Sequence, residues 1–212
     1  MKLAVFDFDS TLMDGETIDF LAKECGVEAQ VAAITHKAMS GELDFYESLK
    51  NRVRLLAGLA ESRAREICEN LPLMLGAQEI VHFLQSHGYK VVCFSGGFSF
   101  ATRHFARILG LDGEFSNILH TKAGVLSGEV GGEMMFRDSK GVLLARLQHL
   151  LGVSVQDTLC VGDGANDVSM FAHADTRVAF CAKEVLKQAA NIIIEQKDLR
   201  AIIPSLEQAH KV

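Results

Sequence analysis

Five short apolar runs punctuate the chain at Leu3–Phe6, Lys90–Phe94, Thr158–Val161, Arg177–Phe180 and Asn191–Ile194. Each is too short for a helix and reads as a buried strand. Helical spacing fills the stretches between them. Ile80, Phe83 and Leu84 recur on one helical face, as do Leu143, Leu147, Leu150 and Leu151. Strands alternating with helices predict an α/β fold, a Rossmann-like parallel sheet with helices on both faces. Ligands of such sheets bind beyond the carboxyl ends of the strands. Asp7 and Asp9 stand at one such end, Ser95 at a second and Asp163 at a third.

The first two strand patterns are separated by an unusually long interval. From about Asp14 to Leu71 the pattern is helical throughout. Ile18, Leu21 and Cys25 space as one helix; Val31, Ile34 and Ala38 as another; Leu49, Val53 and Leu56 as a third. The block is too long for a plain connection. It predicts a small helical cap, residues 14–71, inserted into a core made of residues 1–13 and 72–212, with Pro72 at its exit. A second irregular stretch, Thr121 to Arg137, carries Gly124, Gly128, Gly131 and Gly132 and predicts a glycine-punctuated β-hairpin or flap.

Composition narrows the function. The chain has 212 residues, 49% of them hydrophobic, so it can bury a sizeable core. Its net charge of −6 and scattered basic residues argue against a nucleic-acid surface. None of the five cysteines shares a CxxC spacing, which suits free thiols in a reducing compartment. The eight histidines form no HxxxH or HExxH pair, so zinc is not expected. No apolar stretch is long enough for a membrane span. Two aspartates by position 9 are unlike a signal peptide. A cytoplasmic, soluble monomer or homodimer is the expectation.

The chemistry is concentrated at the strand ends. Charge set directly against a core strand is costly unless it is used. A carboxylate there can attack phosphorus, and a second beside it, Asp9 next to Asp7, can move the proton. Ser95-Gly96-Gly97 lies between a strand and a helix start and forms an anion site from a hydroxyl and backbone N–H groups. Lys140, opening the helix of Leu143 and Leu147, is a candidate fixed cation. In Gly162-Asp163-Gly164-Ala165-Asn166-Asp167 the glycines permit a tight turn, and Asp163 and Asp167 can face one point. Few carboxylates plus water suit magnesium, and the EF-hand pattern is missing.

With these four motifs in this order, the chain resembles the haloacid dehalogenase superfamily. Asp7-Phe8-Asp9-Ser10-Thr11 resembles its first motif, Ser95 its second, Lys140 its third and Gly162–Asp167 its fourth. More narrowly, Glu16, Ser95-Gly96-Gly97-Phe98, Gly162–Phe171 and Phe180-Cys181-Ala182-Lys183 match the phosphoserine phosphatase subfamily over nearly the whole chain. The resemblance implies a Rossmann-like core with a helical-bundle cap and a magnesium-dependent hydrolase that takes O-phosphoserine in the last step of serine synthesis. It implies Asp7 as nucleophile and Asp9 as general acid and base. Ser95, Gly96, Lys140 and Asn166 would hold the phosphoryl group. Asp7, the Asp9 carbonyl and Asp163 would hold Mg2+, supported by Asp167. Glu16 would meet the substrate ammonium, Arg52 its carboxylate, and Met39 and Phe45 would close the pocket. The same residues would serve transfer to homoserine, or hydrolysis of another small phosphomonoester. A phospho-accepting receiver module also uses acids, a hydroxyl and a lysine around magnesium. It takes phosphate on a later strand, however, and has no helical insert after the first.

Overall fold

A computed structural model describes residues 1–39 and 42–209, without the side chains of Met39 and Ala209. In chain order the elements are β1 (Lys2–Asp7), α1 (Thr17–Cys25), α2 (Glu28–Met39), α3 (Phe45–Arg54), α4 (Glu61–Glu69), α5 (Ala77–Ser86), β2 (Tyr89–Phe98), α6 (Ser99–Leu109), β3 (Gly113–Lys122), β4 (Val125–Gly132), α7 (Ser139–Leu151), β5 (Thr158–Gly162), α8 (Val168–Phe171), β6 (Thr176–Phe180), α9 (Glu184–Lys187), β7 (Ile192–Ile194) and α10 (Ile203–Ala209). They build a seven-stranded sheet in the order β4-β3-β2-β1-β5-β6-β7. All neighbours are parallel except β3 and β4.

The alternation within the strands explains the two helical layers. Ala4 and Phe6 of β1 join one buried apolar cluster with Ile80 and Leu84 of α5 and Phe105 of α6. Leu3 and Val5 join another, with Leu144 of α7 and Met170 and Phe171 of α8. Successive side chains of a strand point to opposite faces, so an uninterrupted apolar run is buried on both sides. In-register parallel pairing then levels the strand tips. Asp7 pairs with Phe94, and Phe6 with Val161. Residues 7, 95 and 163 thereby emerge side by side.

Four helices, α1–α4, come between β1 and α5. Backbone bonds pin the two ends of this block together: Asp14 N donates to Pro72 O at 2.9 Å and Met74 N to Leu12 O at 2.9 Å. The block is also fastened to the sheet edge. Gly58 N donates to Leu126 O (2.9 Å), Leu126 N to Leu59 O (2.8 Å) and Glu61 N to Gly124 O (2.9 Å). These bonds cover an edge strand that would otherwise be unpaired.

Three details depart from the sequence pattern. The hairpin begins at Gly113, because β3 pairs with β2 inside the sheet before turning back at Ala123-Gly124, where φ is 52° and 79°. Positive φ at both turn residues matches the twist of a two-residue hairpin. The second strand does not stop at Phe94; it runs through a bulge to Phe98, which pairs with Asn117. On α7 the buried line is Lys140, Leu144 and Gln148, whereas Leu150 is 79% exposed. Gln148 is drawn inward because its amide donates to Thr158 Oγ1 (2.7 Å) and His173 O (2.8 Å).

Candidate active site

Immediately after β1 the backbone leaves the sheet in a single wide turn, Phe8–Leu12, closed by Met13 N donating to Phe8 O at 2.9 Å. Asp7 and Asp9 therefore share a site through this turn, not through a continued strand. Ser10 takes φ 58°, held by its N–H on Gly15 O at 2.8 Å. Asp7 is buried, with Phe8 N donating to its Oδ1 at 2.7 Å. Asp9 is held on both oxygens. Thr17 donates to Oδ1 through its N–H (2.6 Å) and its hydroxyl (2.5 Å), and Ser95 Oγ donates to Oδ2 at 3.1 Å. Thr17 is the first residue of α1, so the helical block itself orients Asp9.

In the bulged last stretch of β2, Gly97 N donates to Ser95 Oγ at 2.9 Å. A Cβ on Gly97 would lie 2.5 Å from Asp9 Oδ2, so only glycine fits this approach. Beneath the cavity lies a buried charge cluster. Lys140 Nζ, 2% exposed as a residue, lies 2.6 Å from Asp7 Oδ1 and 2.5 Å from Asp167 Oδ1. The other oxygen of Asp167 accepts the N–H groups of Asp163 (3.1 Å) and Gly164 (2.9 Å). Gly141 makes this meeting possible: Gly141 N donates to Ser169 Oγ (3.1 Å), and a Cβ there would sit 2.5 Å from Ser169 O.

The electrostatics follow from burial. Burial, then the charges of Asp167 and Asp163, push the Asp7 carboxyl well above its usual range, against Lys140. Burial raises Asp163 to about 6, with Asp167 adding to the shift. Burial also raises Asp9, opposed by its bonds from Thr17 and Ser95. Burial disfavours the charge on Lys140, but Asp167 and Asp7 overcome it and hold the pKa above the ordinary value. One ammonium thus faces three acids. Asp7, Asp163 and Asp167 each present an oxygen within 4.8 Å of the others. An all-carboxylate set left short of positive charge suits a hard divalent cation.

A cavity of about 250 Å³ opens above these groups. Asp7, Asp9, Asp163 and Asn166 line its floor, and Gly96 one wall. Glu16, Phe45 and Arg52 reach it from the helical block. Ser95, Lys140 and Asp167 lie behind its surface, bonded to the floor residues. The side chain of Met39 lies outside the described residues. Ser10 Oγ donates to Glu16 Oε1 at 2.8 Å. Burial, with Asp9 adding, raises Glu16 to about 7. Arg52 Nε donates to Ser48 O (3.3 Å). Burial lowers the Arg52 pKa, while Glu16 and Asp19 oppose the shift.

The sequence reading missed several residues here. Thr17 and Asp19 are one and three positions past Glu16 at the start of α1, a spacing that could have flagged them. Thr35, Gly97 and Lys183 also line the cavity. Of these, Gly97 and Lys183 carried a signal, as parts of Ser95-Gly96-Gly97 and Phe180-Cys181-Ala182-Lys183, whereas Thr35 carried none.

Comparison with known proteins gives concordant matches. Residues 1–175 match the family model described as haloacid dehalogenase-like hydrolase. The chain is 62% identical over 206 residues to a phosphoserine phosphatase of Wolinella succinogenes, covering 97% of this chain and 100% of that protein. A phosphoserine phosphatase of Methanocaldococcus jannaschii is 45% identical over 202 residues, covering 95% and 96%. Among solved structures, one described as a phospho-aspartyl intermediate analogue of phosphoserine phosphatase superposes with a TM-score of 0.91 at 45% identity, covering 96% of this chain and 98% of that one. A substrate-bound phosphoserine phosphatase complex also gives 0.91, at 44% identity and with 96% and 97% covered.

Proposed function

Because the chain belongs to the haloacid dehalogenase-like hydrolases, we propose that it is a magnesium-dependent phosphatase hydrolysing O-phospho-L-serine to L-serine and phosphate through an aspartyl-phosphate on Asp7. One observation carries this reading. The cavity that exposes Asp7 and Asp9 also presents a carboxylate, Glu16, and a guanidinium, Arg52, from the helical block. Such a pair suits the ammonium and carboxylate of an amino acid whose phosphate meets the acids below.

In this mechanism a carboxylate oxygen of Asp7 attacks phosphorus, and the bond from phosphorus to the serine oxygen breaks. Asp9 gives its proton to that oxygen as serine leaves. Asp9 then takes a proton from a water molecule, whose oxygen attacks phosphorus and releases Asp7. The bonds from Thr17 and Ser95 hold Asp9 in place for both transfers. Gly96 and Asn166 border the space for the phosphoryl oxygens, with Ser95 and Lys140 behind them, as fixed donors that need no reorganisation. Asp7, Asp163 and the Asp9 carbonyl would hold Mg2+, with Asp167 supporting, and the bound ion supplies Lewis-acid stabilisation of phosphoryl charge.

The same reading makes residues 14–71 a cap domain over a catalytic core of 1–13 and 72–212. Phe45, and Met39 with it, would close the pocket over the substrate, excluding water from the first step. The enzyme would act in the cytoplasm in the last step of serine biosynthesis. The free thiols of Cys25, Cys68, Cys93, Cys160 and Cys181 suit such a reducing compartment.

A substrate panel tests the proposal. Phosphate release is measured with O-phospho-L-serine, O-phosphoethanolamine, 2-phosphoglycolate and 4-nitrophenyl phosphate, with and without homoserine as acceptor. Highest kcat/KM on phosphoserine, unaffected by homoserine, is expected. A higher value on another substrate, or phosphohomoserine as the main product, refutes it.

A further inference from the structure

Lys183 belongs to a sequence motif to which the mechanism above gives no role. After β6 the chain turns at Cys181, where φ is 45° and Cys181 N donates to Ile194 O at 2.7 Å. Buried Ala182 anchors the next position. Lys183 N then donates to the carbonyl of Asp163 at 2.9 Å. This backbone bond fixes Lys183 beside the phosphoryl-transfer acids, whatever its side chain does. The side chain is exposed and lines the cavity, within charge reach of Asp163 and Glu16. Among the described residues it forms no ion pair within 4 Å.

The charge balance of the cavity gives this ammonium a task. Asp7, Asp9, Glu16, Asp19 and Asp163 all line it. Lys140 sits behind, already held by Asp7 and Asp167. Among the described residues only Arg52 and Lys183 are cationic on the cavity wall, and the amino-acid reading assigns Arg52 to the substrate carboxylate. Even with Asp7 and Asp163 turned to the cation and Asp9 protonated, Glu16 and Asp19 meet an incoming phosphomonoester dianion as like charge, which slows approach and weakens binding.

We propose that Lys183 is a specificity-determining residue that draws the phosphoryl dianion past these carboxylates and favours substrates of greater negative charge. The inference rests on the phosphomonoester reading of the site, but not on serine being the alcohol. Attraction between one ammonium and a phosphoryl dianion through water predicts an effect on the order of five-fold.

The test uses the intact enzyme with saturating magnesium and two variants, Lys183→Gln and Lys183→Arg. Both leave the backbone bond to Asp163 in place. The substrates are O-phosphoethanolamine, O-phospho-L-serine and 2-phosphoglycolate, in order of rising negative charge. At low ionic strength Lys183→Gln is expected to lower kcat/KM through KM, on the order of five-fold for phosphoserine, more for phosphoglycolate and less for phosphoethanolamine. The deficit should shrink as added salt shortens the screening length. Lys183→Arg should stay near wild type. A loss equal for all three substrates, a loss independent of salt, or an arginine variant as impaired as the glutamine one overturns the proposal. If the wild type prefers phosphoglycolate to phosphoserine and the graded, salt-sensitive loss still holds, the serine assignment fails while the role of Lys183 stands.

Discussion

Replacing Arg52 by alanine should separate recognition of the substrate from the chemistry performed on it. Arg52 lies in the last turn of α3, and its Nε is already engaged by Ser48 O. The two terminal nitrogens remain to grip a carboxylate with parallel bonds. Charge-assisted bonds contribute about 1.5–3 kcal/mol each, and Arg52 is half-buried, so the lower figure applies. Two such bonds amount to about 3 kcal/mol, or roughly a hundred-fold in kcat/KM for O-phospho-L-serine. The variant also leaves Glu16 and Asp19 without a nearby guanidinium, which adds to the loss. Alanine is a strong helix former, so α3 should persist and the Tm should stay close to wild type. The assay is phosphate release from phosphoserine and from 4-nitrophenyl phosphate, which has no carboxylate. The expected result is a hundred-fold loss on the first substrate, in line with the two-bond arithmetic, and little change on the second. Lys at the same position, a point charge without the planar fork, should fall between. Equal losses on both substrates would refute the assignment of Arg52 to the carboxylate.

Four further outcomes test the site. Asp7→Asn should abolish turnover while preserving the fold, seen as an unchanged circular dichroism spectrum and no phosphate release; activity above about one percent of wild type would exclude Asp7 as nucleophile, since loss of covalent catalysis costs far more. Gly97→Ala places a Cβ 2.5 Å from Asp9 Oδ2 and 3.0 Å from Ser95 Oγ, so kcat should fall by at least about ten-fold, as expected for a displaced acid–base group; full activity would contradict the close fit. Glu16 has its pKa raised to about 7, so KM for phosphoserine should rise as pH falls through that value and the carboxylate takes up a proton, while KM for 4-nitrophenyl phosphate stays level. Asp163 is raised from the usual 3.8 to about 6; its contribution to stability is present at low pH and lost as the pH rises through 6. The EDTA-treated protein should therefore lose Tm over that interval, and magnesium should restore both Tm and activity, with a larger gain at the higher pH; a Tm indifferent to magnesium would count against the acidic triad as the metal site.

Local pattern made much of this architecture legible. An uninterrupted apolar run such as Leu3–Phe6 must be buried on both faces, so helices had to cover both sides of the sheet. The motif residues were legible because charge at the tip of a buried strand has no structural use. Residues whose meaning depends on a distant partner were hidden. Leu150 fits the apolar spacing of α7 yet is exposed, while Gln148 is buried by its bonds to Thr158 and His173. Gly141 looks like an ordinary glycine until Ser169 comes within contact distance of it, and the close approach of Asp9 to Gly97 likewise appears only in the fold.

The sequence by itself determined the alternation of strands and helices, the long helical interval after the first strand, and the placing of acids and a hydroxyl at the strand tips, because each is written in the spacing of near neighbours along the chain. The tertiary structure alone decided that Asp9 is held by Thr17 from the helical block, that Lys140 is shared between Asp7 and Asp167, and that Lys183 stands beside Asp163. These are matters of distance between segments far apart in sequence, set only when parallel pairing brings the tips of β1, β2 and β5 level.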